Sequence, residues 1–216
     1  MTETPTSNGS PPAVAYPVSV SVEPTLEPRN KMTVGFRFIL AIPHLLLVGG
    51  LVLPVSGWWS LTAAGVLGAV AGICAFIAWF AIIFTGKHPR GLWDLGHFYL
   101  RWRVRVLAYA GLFRDEYPPF GDGPYPATFA CEYPEGPRDR WSVGLRIFYA
   151  IPHIIIVVAL EVAWAVTSVI AWFAILFTGR YPEGLYEFGR GAMRWAVRLE
   201  AYMLLLRDEY PPFSLD

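Results

Sequence analysis

From Trp58 to Phe84 the chain runs for 27 residues without a charged side chain. A helix that crosses a bilayer needs about 20 consecutive apolar residues, within a range of roughly 17–25. Three further segments have the same character. Val34–Leu53 is interrupted only by Arg37 and His44, Val143–Leu160 only by Arg146 and His153, and Val162–Phe177 by no charge at all. Hydrophobic residues make up 55% of the chain and charged residues 16%, where a soluble domain carries about 45–50% and about 25%. The 17 basic residues are matched by 17 acidic ones, so the electrostatic footprint of a nucleic-acid binder is missing.

Turn chemistry at Pro54-Val-Ser-Gly57 separates the first two segments. The last two are divided only by Glu161. Two spans of about 17 residues there would each reach only about 25 Å, against a hydrocarbon core of about 30 Å. One long helix is the alternative, and an internal duplication argues against it. Tyr16–Leu51 aligns without gaps onto Tyr125–Leu160, sharing Arg37/Arg146 and Ala41-Ile-Pro-His44 with Ala150-Ile-Pro-His153. Ala78–Phe120 aligns onto Ala171–Phe213, sharing Phe-Thr-Gly and Arg-Asp-Glu-Tyr-Pro-Pro-Phe. The offset falls from 109 to 93, so the first copy holds sixteen extra residues between these blocks.

Equivalent sequence should face the same side of a membrane, so each copy must cross an even number of times. The expected fold is an all-α integral membrane protein with four transmembrane helices, arranged as two tandem hairpin repeats. These repeats are parallel, related by a pseudo-twofold axis along the membrane normal. With hairpins at 34–84 and 143–177, all Lys and Arg fall on the side of the termini or at the span ends facing it, and the opposite loops near Pro54–Gly57 and Glu161 carry none. The positive-inside rule then places both termini in the cytoplasm.

Each copy has parts outside the bilayer. Pro17–Val22 alternates apolar and polar residues as a half-buried strand does, and its copy is Pro126–Cys131. Two such cytoplasmic strands, related by a twofold, can pair antiparallel. Gly91–Phe113 and Gly184–Leu206 are helical in pattern, with Asp94, His97, Arg101 and Arg105 on one stripe and Glu187, Arg190, Arg194 and Arg198 on the equivalent one. Each reads as an amphipathic helix in the membrane interface. A third span is disfavoured, because one arginine at the bilayer centre costs about 2.5–3.5 kcal/mol on insertion scales. The chain divides into a disordered Pro/Ser/Thr-rich tail (1–15), repeat 1 (16–120), a linker (121–124) and repeat 2 (125–216). The N-terminus lacks the pattern of a cleavable signal peptide. Cys74 and Cys131 make neither a disulfide framework nor a zinc site.

These residues resemble a bacterial membrane family known as domain of unknown function 4389. The resemblance is carried by Arg37…Ala41-Ile-Pro-His44, by Trp172–Gly184 and by Arg207-Asp-Glu-Tyr-Pro-Pro-Phe213, and both copies match it. Lys87-His88-Pro89-Arg90 departs from the second copy's Arg180-Tyr-Pro-Glu183. The resemblance implies a bacterial inner membrane and brings no activity with it.

His44 and His153 are the sharpest candidates for chemistry. Each follows a proline inside an apolar segment, and an intramembrane ionisable residue marks a function by default. Two histidines near a twofold could hold a metal or a haem iron, but no further haem signature accompanies them. The preferred reading is that each imidazole bonds a neighbouring helix. Arg37 and Arg146 lie two helical turns before them. With Arg101, Arg105, Arg194 and Arg198 they are candidates for binding an anionic lipid headgroup, the alternative being snorkelling to the surface. Asp115/Glu116 and Asp208/Glu209 could serve acid–base work, but pairing with arginines of a neighbouring helix is the simpler reading. Glu161, present in one copy only, reads as a solvated residue of the outer turn.

No catalytic residue, metal or cofactor is expected. The reading is a non-enzymatic module that binds lipid or a partner, the partner being another membrane protein or a further copy of the chain in a homo-oligomer. A transporter or channel subunit with His44 and His153 in its pathway is the first alternative. A membrane enzyme acting on a lipid is the second. Whether those histidines face a polar cavity or a packed interface discriminates among them.

Overall fold

The computed structural model of the chain describes residues 16–26, 28–50 and 61–216, with side chains from residue 65 onward in the last stretch. The tail at 1–15 and the Pro54–Gly57 turn lie outside the described residues. The elements in order are β1 (Val18–Val22), α1 (Lys31–Val48), α2 (Leu61–Thr85), α3 (Arg90–Ala110), β2 (Ala127–Cys131), α4 (Arg140–Thr178) and α5 (Glu183–Met203).

Local chemistry sets the helix ends. The Asn30 side chain accepts hydrogen bonds from the Met32 and Thr33 N–H groups, and Asp139 accepts from Trp141 and Ser142, so α1 and α4 start at equivalent caps. α4 stops at Gly179, which adopts the left-handed conformation at φ 76°.

The hairpins expected from sequence are not formed. α4 is a single helix of 39 residues that runs through Pro152 and Glu161. Leu160-Glu-Val-Ala-Trp164 contains no glycine or proline, so nothing in it ends a helix. Nor do α1 and α2 fold back on each other. The start of α1 meets the end of α4, where the Trp172 indole donates to the Val34 carbonyl at 2.9 Å. The end of α2 meets the start of α4, where the Trp79 indole donates to the Val143 carbonyl at 3.0 Å. Both contacts hold only if α2 continues in the direction of α1, antiparallel to α4. A Cβ added to Gly65 would fall 2.5 Å from the Leu47 carbonyl carbon, so α2 restarts where α1 stops. The 18 residues of α1 and the 21 of Gly65–Thr85 reproduce the 39 of α4. The sixteen extra residues therefore interrupt one long helix instead of lengthening an outer loop. Three helices, α1, Gly65–Thr85 and α4, are long and apolar enough to cross a membrane.

α3 and α5 were expected at the membrane interface. They form the middle layer of a three-layer stack, burying Trp93, Tyr99, Leu100 and Val104 from α3 and Tyr186, Met193, Trp195 and Val197 from α5. On their far side sits the ribbon of β1 and β2, paired antiparallel with Val20 opposite Phe129. Its inner residues, Val18, Val20, Val22, Ala127, Phe129 and Cys131, are buried, and the intervening ones are exposed. An isolated two-stranded ribbon is marginal in water, and this packing supplies the missing support.

The long helices bury one narrow stripe each. On α4 it runs Val143, Arg146, Ala150, His153, Val157, Glu161, Trp164, Ser168, Ala171 and Ile175, at steps of three and four. The remaining surface is apolar and exposed along its length, as at Ile39, Leu46, Ile73, Phe80, Ile155 and Phe173. Glu161 is thus a buried residue of the inner stripe, not a solvated turn residue.

Candidate functional site

All candidate residues on the long helices turn inward onto the middle layer. Arg37 is fully buried. Its guanidinium donates to the carbonyls of Tyr109 (3.0 Å) and Arg114 (2.7 Å) and to Asp115 Oδ1 (2.6 Å). Asp115 also receives Arg29 (2.6 Å) and the Asn30 N–H (3.0 Å). Burial alone would raise the Asp115 carboxyl. The hydrogen bonds from Arg29 and Asn30, with the charge of Arg29, overcome this and hold it below the usual carboxylate range. The second copy repeats the arrangement. Arg146 donates to the carbonyls of Tyr202 (2.6 Å) and Arg207 (2.9 Å) and to Asp208 Oδ1 (2.6 Å), and Arg138 pairs with the same carboxylate. Asp208 is held low against burial by Arg138 and Arg146.

These clusters clamp strained turns. Leu112 (φ 67°) and Leu205 (φ 63°) sit in the left-handed region that a branched side chain rarely adopts. Each lies at the end of a Schellman-type cap, in which the Phe113 N–H bonds the Ala108 carbonyl and the Leu206 N–H the Ala201 carbonyl. Arg29 and Arg138 grip the carbonyls of these two leucines. The RDEYPPF carboxylates Asp115 and Asp208 therefore serve the ends of α3 and α5, and Glu116 and Glu209 pair with Arg114 and Arg207 beside them.

His44 and His153 lie in packed aromatic boxes, with both residues at 0% exposure. The Trp102 indole donates to His44 Nδ1 at 3.2 Å, and Trp195 to His153 Nδ1 at 2.9 Å. With Nδ1 accepting, a neutral ring carries its proton on Nε2. Phe120 stacks on His44 at 4.2 Å between ring centres, and Phe213 on His153 at 3.9 Å. The two imidazoles occupy separate boxes, each closed by its own copy's residues. No group of three His, Cys, Asp or Glu side chains that could hold a metal comes together among the described residues.

Of the remaining candidate arginines, Arg101 pairs with Asp122, Arg105 donates to the Gly121 carbonyl at 2.6 Å, Arg194 donates to the Val20 carbonyl, and Arg198 lies over the Tyr16 ring. Arg101 and Arg105, with His97 and Phe129–Glu132, line a cleft of about 310 Å³ between α3 and β2. Burial, then the charge of Arg101, pushes the His97 imidazole down.

One polar site was missed from sequence. Arg103 and Glu200, 1% and 8% exposed, pair across the middle layer at 2.8 Å. Tyr99 donates to the other Glu200 oxygen at 2.7 Å. Arg103 also donates to the Val48 carbonyl at 2.6 Å, and Glu161 adds its negative charge to Arg103's surroundings. The equivalent positions in the other copy are Ala196 and Leu107, so the pair is found where the copies differ. The structure supplies the reason. The interruption after Val48 leaves unsatisfied carbonyls at a helix end, and Arg103 satisfies one. Its charge then needs Glu200. α4 is unbroken at the same place, and Ala196 suffices.

This arrangement defines a class: a helical protein of two equivalent units with membrane-compatible outer faces and its polar side chains braced inside. The chain belongs to the family described as domain of unknown function DUF4389, whose profile matches residues 59–121 and 140–214 as two tandem segments. Neither a curated protein nor a solved structure matches the chain.

Proposed function

We propose that the protein is a non-enzymatic membrane module whose ligand is bilayer lipid, held along the outer faces of α1, α2 and α4. The observation that carries this reading is the division of the long helices into two faces. Arg37, His44, Arg146, His153 and Glu161 all lie on the buried stripe and are engaged in holding the layers together. The outer face keeps only apolar contact to offer. Packed histidines favour this reading over a transport pathway. Among the candidate arginines, the half-buried Arg101, Arg105, Arg194 and Arg198 are the ones left to bias the module toward anionic headgroups. The membrane is proposed to be the bacterial inner membrane, with the basic layer on the cytoplasmic side.

Vesicle flotation and native mass spectrometry test the proposal. The chain should float with neutral phosphatidylcholine vesicles and leave gentle detergent carrying phospholipid. A variant with all four of these arginines changed to Gln should still float. F36D/F80D/F173D, which places charges on three exposed apolar positions, should lose flotation while keeping its helical circular dichroism. A chain that stays in the aqueous fraction refutes the proposal.

A further inference from the structure

We propose that the long helices lie in the plane of the membrane within one leaflet, and do not cross it. This rests on the lipid-binding reading above and adds the geometry of the contact. The surface is the outer face of the α1–α2 rod and of α4, and its occupant is the acyl and headgroup boundary of a single phospholipid leaflet.

Length is the first argument. At 1.5 Å per residue, 39 residues extend about 58 Å, roughly twice a hydrocarbon core of about 30 Å. Fitting α4 upright would need a tilt of about 60°, whereas spanning helices tilt about 0–40°. The α1–α2 rod matches α4 end for end, so the same mismatch applies to it.

The distribution of charge is the second argument. The rods are antiparallel, so the cluster of Arg29, Arg37 and Asp115 lies at one end of the pair and that of Arg138, Arg146 and Asp208 at the other. Upright rods would send these equivalent clusters to opposite sides of the membrane. They would also hold Asp94, Arg101, Arg194 and Arg198, on α3 and α5 alongside, at hydrocarbon depth. Flat rods place every one of these groups on a single side, above an apolar floor.

Equivalent segments face the same side when each copy crosses an even number of times, and zero is even. The same-sided basic residues, the unbroken α4 and the pseudo-twofold along the membrane normal are all satisfied together. A helix lying this way sinks about 5–10 Å into the headgroup and acyl boundary, with its polar side covered from above. Here α3, α5 and the ribbon provide that cover.

The test uses the full chain in sealed vesicles, in a C74T/C131V background that copies Thr167 and Val22 from the equivalent positions. E116C and E209C place single thiols at opposite ends of the rods, where the native side chains are 53% and 48% exposed. Both should react with a membrane-impermeant maleimide from the same face of the vesicle. Spin labels at Phe148, Ile155, Val162 and Val169 on the outer face of α4 should report depths agreeing within about 4 Å. Labelling from opposite faces, or depths spread over more than about 10 Å with a central maximum, overturns the in-plane arrangement. Labels on α4 shielded from lipid-borne oxygen overturn it in favour of a second copy on this face. If the chain fails to float at all, it is the lipid reading that falls.

Discussion

The Arg103–Glu200 pair can be taken apart by exchanging each residue for its equivalent in the other copy. E200L leaves a bare guanidinium enclosed at 1% exposure and removes the partner of the Tyr99 hydroxyl. R103A leaves a bare carboxylate and frees the Val48 carbonyl. Removing one partner of a buried ion pair costs about 3–5 kcal/mol, because the other charge stays buried. At about 2–4 °C per kcal/mol for a chain of this size, each single variant should melt about 6–20 °C lower. The double variant R103A/E200L removes both members of the pair, and Glu161 is the buried charge that stays nearby. The buried groups this variant orphans are the Val48 carbonyl and the Tyr99 hydroxyl, at about 1–3 kcal/mol each. Taking the middle of both ranges, its loss should fall short of the sum of the singles by about 4 kcal/mol. The assay is a double-mutant cycle by thermal or SDS-induced unfolding in dodecyl maltoside, followed by circular dichroism. Singles that add to within about 0.5 kcal/mol would refute the claim that each charge exists to balance the other.

Two further predictions concern positions where the copies diverge. His88 occupies the place of Tyr181 and is pushed down to about 4, chiefly by burial. Its folded value lies below its unfolded one, so the stability it contributes is intact above about pH 6.5 and is lost progressively as pH falls toward 4; melting temperature against pH should show this slope, and H88Y should flatten it. Deleting residues 49–64, which joins Val48 to Gly65, should give a folded chain with more helix by circular dichroism. G65A should be harmful in the full-length chain, where φ is 68° and the new Cβ meets Leu47, and neutral in the deletion; equal damage in both would show that α2 does not continue α1.

Much of the fold was legible in particular residues. Val18-Ser-Val-Ser-Val22 alternates as a strand must, and its copy at Ala127–Cys131 allowed the antiparallel pairing that the structure displays. The helices expected at Gly91–Phe113 and Gly184–Leu206 form at Arg90–Ala110 and Glu183–Met203. The direction of α2 was not legible. An apolar run reports length and composition, and it is silent about whether a chain reverses or resumes. The pairing of Asp115 and Asp208 with arginines was foreseen from type and position. The Arg103–Glu200 pair was not legible in the residues that the copies share. Its signal was a double departure from the repeat, Arg103 against Ala196 and Glu200 against Leu107, and reading the differences would have found it.

That contrast bears on which polar residues deserve a functional reading. An ionisable side chain in an apolar helix suggests function because the membrane gives it no other reason to be there. The suggestion lapses once the helix is seen to carry a polar layer along one side. Arg37 meets Asp115 just beyond the end of α3, and His44 and Val48 meet Trp102 and Arg103 within it. In the second copy Arg146 likewise meets Asp208 just beyond α5, and His153 meets Trp195 within it. Each contact ties a long rod to the helix that returns beneath it. The face these residues never touch is left uncovered by the described residues, and on α4 it runs unbroken by charge from Val143 to Phe177. Charged substitutions there perturb the membrane and leave the braces intact, whereas substitutions at the histidines perturb the braces first. Loss of function in a histidine variant is therefore evidence about chemistry only if its unfolding transition is unchanged.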